Sequence, residues 1–197
     1  MVGVQSLPTL DSEIVSDIPM NLVYFDLESQ NLFQDVGGRT GIEKLRMSCG
    51  VTFSTERNDF AVYWEKDAFA LIDELKAADR VIGFNLIGFD YRVLRPYAPN
   101  FNFAYLRTLD LLLDIQRTLG FRLSLDAIAE ASLGATKSAD GLKAVEWFRA
   151  GELDKIAEYC KIDVDITRRV FEFGRTHGYI HYRSKLGSKL KVAVNWR

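Results

Sequence analysis

The stretch Asn21–Ser29 reads NLVYFDLES, an apolar run interrupted by two carboxylates. A short apolar run of this kind predicts a buried β-strand. Side chains alternate between the two faces of a strand, so we expect Asp26 and Glu28 to lie side by side, with Leu27 pointing into the opposite layer. Two neighbouring carboxylates repel each other, and each is costly to bury. The pair therefore predicts a divalent cation, for which hard oxygen ligands are the preferred chemistry.

The chain has 197 residues and is 48% hydrophobic, which fits one globular domain with a substantial core. We expect the folded domain to span residues 21–180, after an N-terminal leader or edge segment at 1–20. A basic tail at 181–197 is expected to form a hairpin of the same domain. Its basic residues are Arg183, Lys185, Lys189, Lys191 and Arg197, and it contains no acidic residue. The tail suits either a nucleic-acid strand or a solvated sheet edge, because lysines serve in both places.

The net charge is −2, from 27 acidic and 25 basic residues, which excludes a strongly basic nucleic-acid coat protein. A local basic patch is still compatible with this charge. Cys49 and Cys160 show neither disulfide-framework nor zinc-site spacing, and Gly178 argues against His177 and His181 sharing one helix face. No apolar run is long enough to span a membrane, and the N-terminus lacks a signal-peptide pattern. We expect no membrane partner and a cytoplasmic location.

The periodicity of the remaining chain predicts alternating strands and helices. Strands are expected at 45–53, 60–64 and 80–85, and helices at 67–78, 91–94, 106–119, 124–131, 142–150 and 153–173. Gly120 suits the end of one helix and Ser124 the beginning of the next. Strands followed by a strand–helix alternation and then by helices indicate a layered α/β or α+β domain.

Two later segments carry polar residues that suit the same site. Asn85 ends the strand predicted at 80–85, and Asp90 begins the next helix, where a carboxylate also serves as a plain cap. Tyr159 and Asp163 are four residues apart in a long helical segment and so share one face. Taken singly, these residues suit ordinary roles as a turn residue, a helix cap, a core aromatic and a surface charge.

Together with the first strand, these segments resemble the DEDD superfamily of 3′–5′ exonucleases. The first motif of that superfamily, Asp-x-Glu, stands here as Asp26-Leu27-Glu28. The second stands as Asn85 followed by Asp90, and the third, Tyr-x-x-x-Asp, as Tyr159 followed by Asp163. Tyrosine rather than histidine in the third motif is similar to the DEDDy branch, which includes polymerase proofreading domains. The resemblance covers roughly residues 21–175 and extends to small bacterial domains regarded as exonucleases or ribonuclease-H-like domains.

The resemblance implies a ribonuclease-H-like fold, which is an α/β layered domain with a central mixed sheet flanked by helices. It also implies hydrolysis of phosphodiester bonds at nucleic-acid 3′ ends with two Mg²⁺ ions, for which Mn²⁺ substitutes. In that pattern Asp26 bridges both ions. Glu28 and Asp163 hold the ion that activates water, and Asp90 acts through water on the other. Tyr159 orients the attacking water.

Contacts with the substrate are expected from Leu27, Phe84, Asn85 and Lys143. Leu27 and Phe84 suit a wedge near the terminal base, although a core role is favoured for both. Lys143 and Lys137 flank a glycine-containing loop and suit either a phosphate contact or solvent. The expected partners are single-stranded nucleic acid or 3′ ends, together with a helicase or another repair or RNA-processing protein.

Three other acidic residues are excluded from the predicted site. Asp110 and Asp114 are four residues apart in the helix predicted at 106–119, and a solvated helix face is favoured over a metal pair. Asp165 follows Asp163 by two residues, which rotates it away from the site on a helix.

Two other functions fit the same fold. One is a non-catalytic ribonuclease-H-like module that binds nucleic acid or a helicase, which the costly cluster of carboxylates disfavours. The other is an endonuclease that uses the same metals on internal bonds. The tyrosine of the third motif favours the exonuclease by family analogy alone.

Overall fold

The computed structural model describes residues 20–135, 141–184 and 186–196. Most of the leader predicted at 1–20 lies outside these ranges, as do Lys137, Lys185 and Arg197. Within the described ranges, no helix combines the length and apolarity that crossing a membrane requires.

A five-stranded mixed sheet forms the centre of the fold, in the order β3-β2-β1-β4-β5. The strands are β1 (Leu22–Ser29), β2 (Met47–Ser54), β3 (Asp59–Trp64), β4 (Arg80–Gly83) and β5 (Thr108–Asp110). β1 pairs antiparallel with β2 on one side and parallel with β4 on the other. Two further strands, β6 (Tyr179–Arg183) and β7 (Lys189–Ala193), pair antiparallel as a separate hairpin.

Six α-helices cover the sheet in the described residues. They are α1 (Ala68–Ala77), α2 (Asp90–Leu94), α3 (Leu111–Leu119), α4 (Leu125–Leu133), α5 (Gly141–Arg149) and α6 (Leu153–His177). The Ser124 side chain accepts a hydrogen bond from the backbone N–H of Ala127, and Gly120 ends α3 in a left-handed conformation, so both predicted cap positions are confirmed. The predicted architecture, an α/β domain with a central mixed sheet flanked by helices, is confirmed as well.

The alternation of side chains along β1 divides the core into two layers. Tyr24 packs with the α3–α6 side, where its ring meets Phe171 edge to face at 5.7 Å. Phe25 packs on the opposite face with α1 and α2. Both rings are almost fully buried, so β1 is covered on both faces. This explains why the strand reads as a nearly continuous apolar run.

The prediction of a helix at 106–119 is wrong for its first residues. A short parallel strand, β5, occupies Thr108–Asp110, and α3 begins only at Leu111. The segment reads TLDLLLDI, and a short apolar run of this kind does not separate a buried strand from a helix. Asp110 is 5% exposed rather than solvated, and its side chain caps α3 by accepting from the backbone N–H of Leu113.

The residues after β7 pack back onto the domain. Trp196 is 1% exposed, stacks on Phe171 at 6.1 Å, and donates from Nε1 to the carboxylate of Asp114 at 2.7 Å. Asp114 is partly buried rather than fully solvated, because the distant ring of Trp196 bonds to its carboxylate. Gly174 leaves room for this ring, since a Cβ there would collide with the indole of Trp196.

Candidate metal and active site

Three carboxylates meet where β1 packs against α6. Asp26 and Glu28 leave the same face of β1, and Asp163 comes from α6. One oxygen from each side chain lies within 4.8 Å of the other two. All three residues are partly buried, so they face a cleft rather than open solvent. An oxygen-only set of this size and charge fits a hard divalent cation.

Asp90 stands beside this group as the first residue of α2 and is only 2% exposed. Its Oδ1 accepts a hydrogen bond from the backbone N–H of Leu27 at 3.1 Å. The bond joins α2 to the residue between Asp26 and Glu28. The carboxylate is thus not merely a helix cap, because it is aimed across the chain at the edge of β1.

The carboxylates destabilise one another's charged forms. Burial raises the pKa of Asp26, Glu28 and Asp90 well above the ordinary range. Repulsion adds to this effect: Asp163 raises the pKa of Asp26, and Asp26 raises those of Glu28 and Asp90. A bound cation would remove the repulsion and favour the ionised forms. The electrostatics and the oxygen donors therefore both fit a divalent metal.

Tyr159 lies one turn before Asp163 on α6 and is 9% exposed. Burial raises the pKa of its phenol strongly, and the negative charge of Asp163 and a hydrogen bond to the Asp163 side chain raise it further. Its ring meets Trp147 of α5 edge to face at 6.0 Å. The phenol is therefore held in place and stays protonated at neutral pH.

The loop after β4 brings Phe84 and Asn85 to the same cleft. Asn85 has a φ of 72°, in the left-handed region that asparagine tolerates better than most residues. The loop is held by Asp110, whose carboxylate accepts from the backbone N–H groups of Asn85 at 2.9 Å and of Ile87 at 3.1 Å. The Asn85 Oδ1 accepts from Arg122 at 3.0 Å. The supporting role of Asp110 was missed, although an aspartate directly before an apolar helical run is a recognisable cap signal.

A cavity of about 650 Å³ opens over the carboxylates. Its lining includes Asp26, Leu27, Glu28, Phe84, Asn85, Asp90, Leu142, Val145 and Asp163. Of the four predicted substrate residues, Phe84 and Asn85 are partly exposed at this space, whereas Leu27 borders it but is 3% exposed and packs in the core on the other face of β1. Lys143 is exposed on α5 and is not among the lining residues, although its neighbours Leu142 and Val145 are.

Cys160 contributes a contact that the sequence did not reveal. Its thiol lies beneath Asp26, and its pKa is raised by burial. The residue follows Tyr159 directly, so one turn of α6 presents three side chains, at 159, 160 and 163, to this region of β1. We find no sequence signal that would have separated Cys160 from an ordinary buried cysteine.

Comparison with known proteins identifies the fold and the superfamily. The family model of the RNase_H superfamily matches residues 23–173, well over half of the chain. Among solved structures, a family B DNA polymerase from the hyperthermophilic archaeon Pyrobaculum calidifontis superposes with a TM-score of 0.62 and 17% identity. The match covers 79% of this chain and 24% of the polymerase chain, and at this identity it shows a shared fold alone. No curated protein gives a significant match. The expected ribonuclease-H-like fold is confirmed, and the chain belongs to the RNase_H superfamily.

Proposed function

We propose that this protein is a metal-dependent 3′–5′ exonuclease of the DEDDy type. The observation that carries the proposal is the meeting of Asp26, Glu28 and Asp163 within 4.8 Å. Two further features support it: the buried Asp90 beside them, and Tyr159 hydrogen-bonded to Asp163. Four carboxylates from three separate elements line one cleft, and the phenol of Tyr159 is hydrogen-bonded to one of them, which is more than folding alone requires of such costly groups.

The four carboxylates are the residues that would hold the ions. Asp26 would bind both, Glu28 and Asp163 would complete one position, and Asp90 would act through water at the other. Divalent cations in such a site lower the pKa of water and offset negative charge on the phosphate. Mg²⁺ suits the all-oxygen donor set, and Mn²⁺ is the expected substitute.

Tyr159 is assigned to orienting the attacking water rather than to removing its proton. Burial and the neighbouring Asp163 raise the pKa of the phenol, so the hydroxyl keeps its proton and acts as a hydrogen-bond donor or acceptor. The contact with Trp147 limits the freedom of the ring. A fixed, neutral hydroxyl can hold the attacking water in the correct orientation, and such positioning is a large part of what a hydrolytic site supplies.

The terminal nucleotide is assigned to the cavity over the carboxylates. Phe84 offers a partly exposed ring to a base, the side chain of Asn85 offers polar atoms, and Leu27 borders the cavity with little exposed surface. Lys143 is placed at the margin, where its charge would attract a phosphate. The proposal includes single-stranded nucleic acid or 3′ ends as the substrate, a helicase or another repair or RNA-processing protein as a partner, and a cytoplasmic location.

The decisive experiment is a substrate panel with Mg²⁺ and with Mn²⁺. Linear DNA and RNA, labelled at the 5′ or the 3′ end, and circular single-stranded DNA are incubated with the wild-type chain. Release of labelled mononucleotide from 3′-labelled strands, with the circle intact, is the expected result. A cut circle identifies an endonuclease, and binding without cleavage of any substrate identifies a non-catalytic module.

Variants attribute the activity to the site. Asp26→Asn and Asp163→Asn preserve shape and are expected to abolish metal-dependent release of nucleotides. Asp165→Asn is the matched control, because Asp165 pairs with Arg168 at 2.7 Å on the same helix and does not line the cavity. Undiminished activity of Asp26→Asn in a clean preparation would overturn the proposal.

A further inference from the structure

The β6–β7 hairpin presents two different faces. Ile180 and Val192 point inward and are 0% and 3% exposed. The alternate residues point outward, and the strand register places His181 opposite Lys191 and Arg183 opposite Lys189. Two rings at the end of α6 adjoin this outward side. We use the term hairpin face for Phe173, His177, Tyr179, His181, Lys189 and Lys191.

The rings of the hairpin face form one connected, partly exposed platform. Phe173 and His177 stack with centroids 4.2 Å apart, and Tyr179 meets His181 at 5.1 Å. His177 and Tyr179 are 5.8 Å apart, which joins the two pairs. The ammonium group of Lys191 lies 3.8 Å from the centre of the Tyr179 ring. Aromatic surface and positive charge are thus interleaved within one small area.

The charge of the hairpin face is not neutralised locally. No acidic residue occurs between Gly178 and the end of the sequence. Across the described ranges, no carboxylate lies within 4.0 Å of Lys189 or Lys191, whereas Arg183 pairs with Glu130 at 3.5 Å. Burial and the two lysines lower the pKa of His181, which fits a local excess of positive charge. Two lysines are therefore available to an anion.

We propose that the hairpin face is a second binding surface for single-stranded nucleic acid, holding bases on its rings and phosphates with Lys189 and Lys191. This inference rests on the proposed function, because it assumes that the substrate is a polynucleotide. Rings stack on bases that are free of a duplex, so a single strand is favoured over a double helix. Lysines supply the phosphate contacts that dominate affinity.

His177 of the hairpin face and Tyr159 of the candidate site lie on one side of α6. His177 follows Tyr159 by 18 residues, which is about five helical turns, so the two side chains leave the helix in similar directions. At about 1.5 Å per residue the separation is about 27 Å. At about 3.4 Å per nucleotide a stacked strand needs about eight nucleotides to cross it. The hairpin face would then hold the part of a strand that has yet to reach the site.

Binding without cleavage tests the proposal directly. The full chain is titrated in EDTA into a labelled oligothymidylate 20-mer, and anisotropy gives Kd at several salt concentrations. Lys189→Gln with Lys191→Gln should raise Kd about tenfold and reduce the slope of log K against log salt by about 1.4. Tyr179→Leu, which removes a stacking ring, should raise Kd about tenfold. Both lysines are exposed, so the double variant should fold normally.

The matched control is Lys66→Gln with Lys76→Gln, which removes the same charge from exposed positions on the α1 side of the sheet. Its Kd should stay within about twofold of wild type. The proposal is overturned if both pairs weaken binding equally, if the hairpin pair changes neither Kd nor the salt slope, or if the wild type binds no 20-mer at low salt. A preference for anionic lipid vesicles over the 20-mer would also overturn it.

Turnover gives a second readout where the chain cleaves. The lysine pair should raise KM for a 20-mer and leave kcat unchanged, while a 5-mer, too short to span the distance, should show wild-type KM. If the chain binds the 20-mer through the lysines but cleaves nothing, the proposed exonuclease activity is wrong and the hairpin face remains a binding surface. If the chain cleaves and the double lysine variant has wild-type Kd and KM, the exonuclease activity stands and the hairpin face is not a binding surface.

Discussion

The Sγ of Cys160 lies 3.3 Å from the backbone oxygen of Asp26 and 3.5 Å from its Oδ2. One thiol therefore links α6 to both the main chain and the carboxylate of the strand residue at the centre of the site. The two residues are 134 positions apart in the sequence. The contact lowers the pKa of Asp26 against the larger effect of burial, and so favours its ionised form.

Cys160→Ala should weaken metal binding and destabilise the fold modestly. The substitution removes a hydrogen-bond donor to Asp26 and leaves a small void, at a cost of about 1 kcal/mol in the free energy of unfolding. Calorimetric titration with Mn²⁺ and urea unfolding measure the two effects. Cys160→Ser keeps a donor at the same place and should recover most of the metal affinity. Equal affinities for wild type and Cys160→Ala would show that the thiol serves packing alone.

Metal-free protein should lose stability as the pH rises. The folded-state pKa of Glu28 is raised above its unfolded value of about 4.5, so the unfolded chain gives up this proton first. The stability linked to Glu28 is complete below that value and is lost as the pH rises through the folded pKa. In thermal melts in EDTA, Glu28→Gln should flatten the decline that wild type shows as the pH rises above about 4.5. A variant that declines as steeply as wild type would contradict this account of the charge.

Added Mg²⁺ or Mn²⁺ should stabilise the wild type. An ion that binds only the folded state, at a concentration about 100 times its Kd, adds about 2.7 kcal/mol to the free energy of unfolding. For a chain of this size, that raises Tm by roughly 5–10 °C. Asp163→Asn should abolish most of this rise, because it removes one of the three converging oxygens. Asp165→Asn should respond as wild type does. Differential scanning calorimetry with and without metal measures the shift.

Tyr159→Phe should slow cleavage by about a hundredfold while metal binding persists. The variant keeps the ring that packs against Trp147 and removes only the hydroxyl. Single-turnover kinetics and a Mn²⁺ titration separate the two properties. Loss of metal affinity in the titration would mean that the phenol organises Asp163 rather than the attacking water.

Asp110→Ala should destabilise the protein by about 2–4 kcal/mol, because it deprives the backbone N–H groups of Asn85, Ile87 and Leu113 of their acceptor. Urea unfolding measures the loss. Asp110→Asn retains one acceptor oxygen and should cost less. Equal stability of the two variants and the wild type would show that water replaces the lost acceptor.

Local rules of chain geometry made much of this site predictable. The alternation of side chains along β1 places Asp26 and Glu28 on one face of the strand. The four-residue spacing of Tyr159 and Asp163 places both on one face of α6. Neither statement needs knowledge of the rest of the chain. For the two pairs to form one site, β1 and α6 must also pack against each other. The family resemblance supplied that step, since spacing within one element says nothing of its neighbour.

What escaped prediction depends on contacts between distant parts of the chain. Strand β5 is only three residues long, and its pairing with β4 rather than its own sequence decides its conformation. The Asp114 carboxylate accepts a hydrogen bond from Trp196, which is 82 positions away. The Cys160 contact is of the same kind. Such partners cannot be read from periodicity, because periodicity reports only which face of an element is apolar.

The hydrogen bond from the Leu27 amide to Asp90 provides an intrinsic reporter of the site. That amide proton is hydrogen-bonded while the Asp90 carboxylate stays in place, and it belongs to the residue flanked by both carboxylates of β1. Its rate of exchange with deuterium therefore registers any movement of α2 relative to β1. A single backbone proton, followed by nuclear magnetic resonance, would thus measure how firmly the cleft is assembled before any substrate enters it.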